Sequence, residues 1–354
     1  MIGVTIDRRG FIIRSSLFLA LRMKWVSSQA DSSAVGKLTQ SSGVHSTAEE
    51  VTAGLDLTGR TALLTGCNAG IGYETLRVLV LRGAHVYGLA RNMEKAERAC
   101  TAVTGAGIKG KATPFACEQT DFSSVVACAD AVRARGVPID MLICNAGIYG
   151  VPTLELVQGV EKQFAVNHLS HFILVNRLLN LVTAAHQGRI VVVGSDVPPE
   201  EAKIDIEFDN LSGQRSYDAR KMYHQSKLAN ALFVRELAQR LSRTRVTANG
   251  LTPGLVKTEH ALQYFQSNDN VDLETVREAK TVEQGAATTC YVATNPALAR
   301  VSGAFFEECN VVVPGGHIGD AATAQKLWAI SDQLTRPYLS KSNQSAGDTI
   351  FRAG

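Results

Sequence analysis

The sequence of 354 residues lacks the features of several specialised protein classes. No apolar run reaches the roughly 18–20 residues that a membrane-spanning helix needs. The seven cysteines are odd in number and scattered, with no CxxC pair, which argues against a disulfide scaffold and a zinc site. Neither sign of charge predominates, because the net charge is only +3. Such a balance gives no electrostatic basis for nucleic-acid binding.

The residues that are present indicate a globular protein with a large core. Hydrophobic residues make up 45% of the chain and charged residues 19%, which excludes disorder and fibrous architecture for most of it. We expect residues 1–54 to form a flexible basic leader and polar linker. Residues 55–340 should form one folded domain, followed by a tail over 341–354.

The leader carries five basic side chains in residues 1–30 against a single acid, Asp7. The D-R-R-G-F motif at this acid resembles a twin-arginine export signal, although Asp7 replaces the usual serine or threonine. Arg22 and Lys24 also shorten its apolar region. An Arg-rich, acid-poor leader equally suits a transit peptide or an anchor on a membrane surface. We expect a cytoplasmic protein with a plain flexible leader, and export or membrane association as the alternative.

From Leu55 onward, short apolar runs alternate with segments of helical spacing. Leu76, Leu79 and Val80, for example, recur at the interval that places them on one helix face. Alternating strands and helices indicate βαβ units, whose right-handed crossovers build a doubly wound parallel sheet. We predict an α/β fold with a single Rossmann-type sheet and helices on both faces. The predicted strands are Thr61–Leu64, His85–Leu89, Thr113–Ala116, Met141–Cys144, Arg189–Val193 and Val246–Ala248.

A glycine cluster follows the first predicted strand, in the sequence T-G-C-N-A-G-I-G that begins at Thr65. Its G-x-x-x-G-x-G spacing differs from the G-x-G-x-x-G of the two-domain dehydrogenases but meets a similar need. Glycine permits a tight turn and close backbone approach to a pyrophosphate, which then lies at a helix N-terminus. Tight turns also use glycine for structural reasons alone. The position before an amphipathic helix favours a dinucleotide, and the predicted contacts are Gly66, Asn68, Gly70, Ile71 and Gly72.

The ends of two further strands supply candidate cofactor contacts. Arg91 and Asn92 lie about 20 residues past the glycines, where an acid would bind the ribose 2′-hydroxyl of NAD. An arginine there pairs instead with the 2′-phosphate of NADP, although a solvated arginine at a strand end is the plain alternative. We predict NADP(H) as the preferred cofactor, with NAD(H) as the alternative. Small residues at Asn145, Ala146 and Gly147 leave room for the cofactor's adenosine and nicotinamide ribose.

Two Tyr-x-x-x-Lys pairs compete for the role of acid–base, Tyr217 with Lys221 and Tyr223 with Lys227. On a helix this spacing places both side chains on one face. A nearby ammonium lowers the tyrosine pKa from about 10, so that the hydroxyl can exchange a proton with a substrate oxygen. Such pairs also occur by chance, as the second copy shows. We choose Tyr223 and Lys227 because a strongly periodic helix follows them, whereas Tyr217 lies in a polar stretch.

Ser195 and Asn167 complete the predicted catalytic set. Ser195 follows the fifth predicted strand, where its hydroxyl can hold a substrate oxygen, unless it simply caps a turn. Asn167 lies in an apolar helical segment and can kink that helix and hold a water that relays protons from Lys227. His168 and His171 have the H-x-x-H spacing of a metal site, but the sequence offers no third ligand. We expect structural roles for both histidines and no metal.

In their order and spacing these motifs resemble the short-chain dehydrogenase/reductase superfamily over residues 55 to 338. The segment around Asn167 and the segment Ser226–Asn230 are more similar to the group of retinol dehydrogenases, WW-domain-containing oxidoreductases and protochlorophyllide reductases. The resemblance implies an acid–base at Tyr223, a tuner and ribose ligand at Lys227, a substrate-oxygen holder at Ser195 and a relay at Asn167. It also implies cofactor contacts at Glu118, Pro253, Gly254 and Thr258.

Three further segments bear on the substrate side. The acidic stretch Asp196–Arg215 separates Ser195 from Tyr223 as an insertion, and we interpret it as a solvated loop. Residues 148–152 and 255–280 follow strands, and the second segment carries apolar residues that favour a lid over the cofactor. Together with the resemblance, they predict a lipophilic alcohol, aldehyde or ketone as substrate.

The predicted function is therefore NADP(H)-dependent hydride transfer to or from such a substrate, with Tyr223 as acid–base. The alternative is a non-catalytic, redox-sensing dinucleotide-binding protein. The expected partners are the small substrate and a second copy of the chain in a homo-oligomer. Contact with a membrane surface through the basic leader is a further alternative, and we expect no nucleic acid as a partner.

Overall fold

The computed structural model describes residues 43, 45–195, 205–259, 261–262, 277–312 and 319–339. The predictions for residues 1–42, for the start of the acidic insertion, for the middle of the lid segment and for the tail lie outside these residues. Everything below concerns the described part of the chain.

Eight strands form one sheet in which both faces of the central strands are covered. Their apolar runs are continuous rather than alternating, as expected for a parallel sheet buried on both sides. A separate hairpin pairs β5 (Leu156–Val157) with β6 (Val160–Glu161). The strands of the sheet are β1 (Thr61–Thr65), β2 (His85–Ala90), β3 (Lys111–Ala116), β4 (Met141–Cys144), β7 (Arg189–Val193), β8 (Thr247–Thr252), β9 (Phe305–Glu307) and β10 (Asn310–Val312).

The strand order is β3-β2-β1-β4-β7-β8-β9-β10. Every neighbouring pair is parallel except β9 with β10. The chain leaves β1 toward β2 on one side and returns to β4 on the other. In open α/β sheets the crevice outside the carboxyl ends at such a reversal is where ligands bind.

Among the described residues, a large apolar cluster packs helices against the sheet, and a smaller one packs helices against each other. Their bounds are α1 (Ala48–Val51), α2 (Gly70–Leu81), α3 (Met93–Ala102), α4 (Phe122–Arg133), α5 (Lys162–Phe164), α6 (Ser170–Ala184), α7 (Ala219–Arg240), α8 (Val282–Gly285), α9 (Ala287–Thr294) and α10 (Ala321–Thr335), and a π-helical turn (Ala165–Leu169) joins α5 to α6. The larger cluster joins α4, α6, α7 and α10 to Leu63 of β1. The smaller cluster joins Ala48, Val78 and Cys290 of α1, α2 and α9. The predicted α/β fold with a largely parallel sheet is confirmed.

The strand prediction was wrong where polar residues lie inside a strand. The last predicted strand ended at Ala248, but β8 continues to Thr252. The polar side chain of Asn249 is buried there because its amide donates to the Val301 carbonyl (2.7 Å) and its oxygen accepts from Ala304 N (3.0 Å). The short strands β5, β6, β9 and β10 were not predicted at all.

Residues 45–54, which the sequence analysis assigned to the linker, pack against the folded domain. Thr47 and Glu50 form a reciprocal capping box that starts α1. Ala48 is fully buried, and Glu49 makes an ion pair of 2.6 Å with Arg77 of α2. The folded domain of the structure therefore begins before the predicted boundary at residue 55.

Candidate active site

The glycine turn after β1 has no room for side chains. Gly66 has φ +69°, and a Cβ there would lie 3.1 Å from the Cα of Ala146. A Cβ on Gly72 would lie 2.0 Å from the Gly66 carbonyl oxygen. The turn leads into α2, whose N-cap residue Ala69 has no side-chain acceptor for the free amides of the first turn. Those amides remain available to a ligand, with Asn68 and Ile71 half-buried beside them.

The end of β4 is tied to the end of β1 at the point where the strand order reverses. Thr65 Oγ1 accepts from the backbone N–H of Asn145 (2.9 Å) and of Ala146 (3.0 Å). The Asn145 side chain donates to the Thr65 carbonyl (3.0 Å). A Cβ on Gly147 would lie 3.3 Å from Lys227 Nζ, so the glycine lets that lysine approach the crevice.

Of the three residues predicted around the adenosine end, two have other hydrogen-bond partners. The Asn92 side chain accepts from Lys95 N (3.0 Å) and caps α3. Glu118 Oε1 accepts from the backbone N–H (3.0 Å) and the hydroxyl (2.8 Å) of Thr120. Arg91 is exposed at the end of β2 and forms no ion pair with any residue that the structure describes. Its guanidinium is the available charge at this end of the crevice.

The predicted pair Tyr223 and Lys227 lies near the start of α7, one turn apart. Asp218 caps the helix by accepting from Lys221 N (2.7 Å). Lys227 is 5% exposed; its Nζ donates to the Val193 carbonyl (3.2 Å) and lies 5.6 Å from the centroid of the Tyr223 ring. Burial lowers the pKa of Lys227 to about 8. The ring of Tyr149 contacts the Tyr223 ring edge-on, with centroids 4.5 Å apart.

The competing pair is separated in the structure. Tyr217 precedes α7, and its hydroxyl donates to the Val151 carbonyl (2.5 Å). Burial raises its pKa to about 12. Lys221 instead makes an ion pair with Glu207. A lysine held by Glu207 is not placed to favour the Tyr217 phenolate, whereas Lys227 Nζ lies 5.6 Å from the Tyr223 ring.

Asn167 lies in the π-helical turn and is fully buried. Its amide donates to the Ile148 carbonyl (3.0 Å) and to Ser226 Oγ (2.9 Å), and its Oδ1 accepts from Ile148 N (2.8 Å). Both amide hydrogens are therefore used. The residue links the segment after β4 to α7, and only its oxygens can accept a further hydrogen bond.

His171, for which we expected a merely structural role, joins Asn167 to the glycine turn. Its Nδ1 donates to the Asn167 carbonyl (3.0 Å), so its Nε2 is the acceptor for Thr65 Oγ1 (3.0 Å) and Gln119 Nε2 (3.0 Å). Burial lowers its pKa to about 4, which keeps the ring neutral. The sequence feature that could have indicated this link is the spacing, because His171 lies four residues, or about one helical turn, after Asn167.

His168 points away from this network. Its Nε2 hydrogen-bonds Ser331 Oγ (2.8 Å), and the rings of Phe164 and Phe233 contact it. Burial lowers its pKa to about 3. Because the two histidines have different partners, they do not share a site, and the described ranges contain no cluster of three or more His, Cys, Asp or Glu residues suited to a metal.

The remaining predicted residues follow β7 and β8, which lie on the β4 side of the point where the strand order reverses. Ser195 lies two residues after the end of β7, beyond Gly194, and is half-buried. Pro253 and Gly254 follow β8, and Lys280 Nζ donates to the Pro253 carbonyl (3.3 Å). The methyl group of Thr258 lies 3.0 Å from the Cβ position of Gly70, which places this loop against the glycine turn. The carboxyl ends of β1, β4, β7 and β8 thus bring the predicted residues to one edge of the sheet.

The acidic insertion is packed over the part that the structure describes. Ile206 and Leu211 are buried, and Asp209 makes an ion pair with Arg215. The acids of residues 205–215 are exposed or half-buried, as expected for a solvated loop, while Ile206 and Leu211 anchor the segment to the core. In the described residues there is also no helix with the length and hydropathy to cross a membrane.

Comparison with known proteins gives consistent matches. A model of the short chain dehydrogenase family matches residues 60–205. The WW domain-containing oxidoreductase of Homo sapiens is 34% identical over 300 residues, which cover 83% of this chain and 72% of that protein. Retinol dehydrogenase 14 of Homo sapiens is 36% identical over 292 residues, covering 78% of this chain and 86% of that protein. Among solved structures, an uncharacterized protein from Mycobacterium Paratuberculosis matches with a TM-score of 0.62 and 30% identity, covering 81% and 97% of the two chains.

Proposed function

The chain belongs to the short-chain dehydrogenase family, and we propose that it is an NADP(H)-dependent enzyme that interconverts a lipophilic alcohol with its aldehyde or ketone. Family membership makes it an oxidoreductase acting on CH–OH or C=O groups with NAD(P). The single observation that carries the finer proposal is the Tyr223–Lys227 pair, with a buried ammonium 5.6 Å from the tyrosine ring at the carboxyl edge of the sheet.

The residues around the glycine turn fit a dinucleotide. A Cβ would collide with backbone at Gly72 and would be crowded at Gly66, which has φ +69°, and α2 begins with free amides. A pyrophosphate is the group that such a turn and helix N-terminus accept. Arg91 would take the 2′-phosphate of NADP(H), because its cation is exposed and the described residues offer it no carboxylate. Pro253, Gly254 and Thr258 would lie at the nicotinamide end.

When bound, NADP(H) supplies or accepts the hydride at the reacting carbon. The protein handles the oxygen: the Ser195 hydroxyl donates a hydrogen bond to it, and the Tyr223 hydroxyl gives it a proton during reduction. In the oxidative direction the Tyr223 phenolate removes that proton. With a pKa of about 8, Lys227 is still mostly protonated at pH 7, and its charge stabilises the phenolate. Asn167 is the proposed acceptor for a water in the proton path to Lys227.

An aromatic ring beside the pair and apolar residues in the segments after β4 and β8 support a lipophilic substrate. Tyr149 packs on the Tyr223 ring, and Val151 follows it in the segment after β4. Leu255 follows β8 and is an exposed large hydrophobic residue. Sites for small molecules are lined mostly by apolar and aromatic groups around a few polar ones. One of the matched relatives is named a retinol dehydrogenase, which agrees with a lipophilic alcohol.

The test is NADPH oxidation by the full chain with a panel of hydrophobic aldehydes and ketones. Tyr223→Phe should lower kcat by at least about 100-fold, the usual contribution of a positioned acid–base, and leave NADPH binding unchanged. Tyr217→Phe is the matched control, because it removes a hydroxyl from a tyrosine of the same loop–helix junction, and it should keep most of the activity. Turnover that survives in Tyr223→Phe would refute the assignment. Tight NADPH binding without turnover on the panel would favour a redox-sensing protein.

A further inference from the structure

A second cavity lies at the opposite edge of the sheet, at the amino ends of the parallel strands. Arg60 precedes β1, Asp140 precedes β4, and Arg189 is the first residue of β7. The cavity has a volume of about 310 Å³. Its apolar lining consists of Leu55, Leu57, Met141, Ala293, Pro296 and Ala299.

Arg189 is a buried cation on this cavity. The residue is 8% exposed, and its Nη1 donates to the carbonyls of Asn295 (2.9 Å) and Val292 (3.3 Å) at the end of α9. Its Nε and Nη2 donate to no residue in the described part of the chain, and Arg189 enters no ion pair there. Burial and the neighbouring Arg60 lower its pKa to about 10, so an anion at this place would be stabilised.

The acids around the cavity are engaged elsewhere. Asp140 binds Arg60 Nη1 (2.8 Å) through one oxygen and the Thr61 backbone N–H (2.9 Å) through the other. Asp56 accepts from Thr58 N (2.9 Å) and lies near Lys109. The remaining ionisable group of the lining, His186, is exposed. The carbonyls at the end of α9 hold the Arg189 guanidinium in place, but none of these residues supplies a full negative charge to it.

We propose that this cavity binds a small carboxylate with an apolar body. The Nε and Nη2 of an arginine form a planar edge whose two N–H groups match the two oxygens of a carboxylate. Nη1 is fixed by the α9 carbonyls, so this edge is held in place before the ligand arrives. Arg60 is already paired with Asp140, so Arg189 supplies the charge, and the apolar lining accepts a hydrocarbon or aromatic group. The cavity is separate from the proposed cofactor site, because parallel strands place their amino and carboxyl ends at opposite edges.

The probe is benzoate, titrated into the full chain by isothermal calorimetry with and without saturating NADPH. We expect one saturable site whose affinity NADPH leaves unchanged. Arg189→Lys keeps the charge but loses the planar edge and should weaken benzoate at least about tenfold. Arg98→Gln removes an exposed arginine on α3 and should leave benzoate binding unchanged, while benzyl alcohol should not bind at this site.

Arg60→Gln provides a second variant, because the Arg60 side chain is 47% exposed and its removal does not open the core. It should weaken benzoate severalfold, because it leaves the Asp140 carboxylate beside the cavity without its cation, and circular dichroism reports whether each variant is folded. Displacement of benzoate by NADPH would place it in the cofactor crevice and overturn the proposal. So would the absence of saturable binding by the wild type, or equal affinity in folded Arg189→Lys. None of these results depends on whether Tyr223 acts as an acid–base.

Discussion

Replacing Lys227 by methionine should stabilise the free protein while abolishing its activity. Burial lowers the Lys227 pKa from 10.5 to about 8, and 1.36 kcal/mol per pKa unit makes this a cost of about 3 kcal/mol to the folded state at pH 7. The hydrogen bond to the Val193 carbonyl returns about 1 kcal/mol of it. Methionine has a similar length and helix propensity. The expected net gain is therefore about 2 kcal/mol in the free energy of unfolding.

The same argument fixes the pH dependence of this gain. Between pH 8 and pH 10.5 the unfolded chain keeps the Lys227 proton and the folded chain releases it. Because the unfolded state then binds more protons, the wild type gains stability as pH rises, and the advantage of Lys227→Met shrinks by about 2 kcal/mol between pH 7 and pH 9.5.

Urea unfolding of the cofactor-free full chain at these two pH values, followed by circular dichroism, measures both effects. The matched control is Lys221→Met on the same helix, whose partly exposed ammonium pairs with Glu207 at the surface. It should change stability by less than about 1 kcal/mol at either pH. A destabilised Lys227→Met at pH 7, or an advantage that does not shrink at pH 9.5, would refute the reasoning.

Three further predictions follow from the cofactor site and the amino-terminal helix. Gly72→Ala places a Cβ 2.0 Å from a backbone carbonyl and should lower NADPH affinity at least about tenfold by fluorescence titration, whereas Gly105→Ala, with nothing within 4 Å, should not change it. Arg91→Ala should weaken NADPH at least about tenfold and leave NADH unchanged; an equal loss for both would remove the 2′-phosphate assignment. A chain that begins at residue 55 loses Ala48 from the core and should unfold about 1–2 kcal/mol more easily in urea than one that begins at residue 43.

The fold could be predicted wherever burial on both faces forces a strand to be apolar. β1, β4 and β7 carry that signature, so the βαβ order followed from their spacing. β8 does not, because Asn249 is buried only through hydrogen bonds to residues more than 50 positions later. These partners lie outside any local sequence pattern, so a strand that depends on them cannot be recognised from its own amino-acid sequence.

The candidate site was predicted from the sequence where its proposed chemistry needs a fixed spacing along one element, and those assignments stay predictions. Tyr223 and Lys227 are such a pair, and so are the glycines of the turn. Asn92 and Glu118 show the limit of this approach, because the same side chains also satisfy local backbone donors. The type and position of these two residues suit a contact with the cofactor and a local hydrogen bond to the backbone equally well. Only the structure distinguishes a helix cap from a residue that is available to a ligand.

His171 explains how the separate pieces of the site are held as one unit. Thr65 Oγ1 accepts two backbone N–H groups from the end of β4, and its hydroxyl hydrogen goes to His171 Nε2 at 3.0 Å rather than to the Ile143 carbonyl at 3.5 Å. The proton on Nδ1 is thereby directed to the Asn167 carbonyl, and Asn167 in turn holds Ser226 on α7. A charged imidazole would lose its acceptor and break this chain of hydrogen bonds. Burial keeps the His171 ring neutral and so preserves these hydrogen bonds, which link the glycine turn to the helix that carries Tyr223 and Lys227.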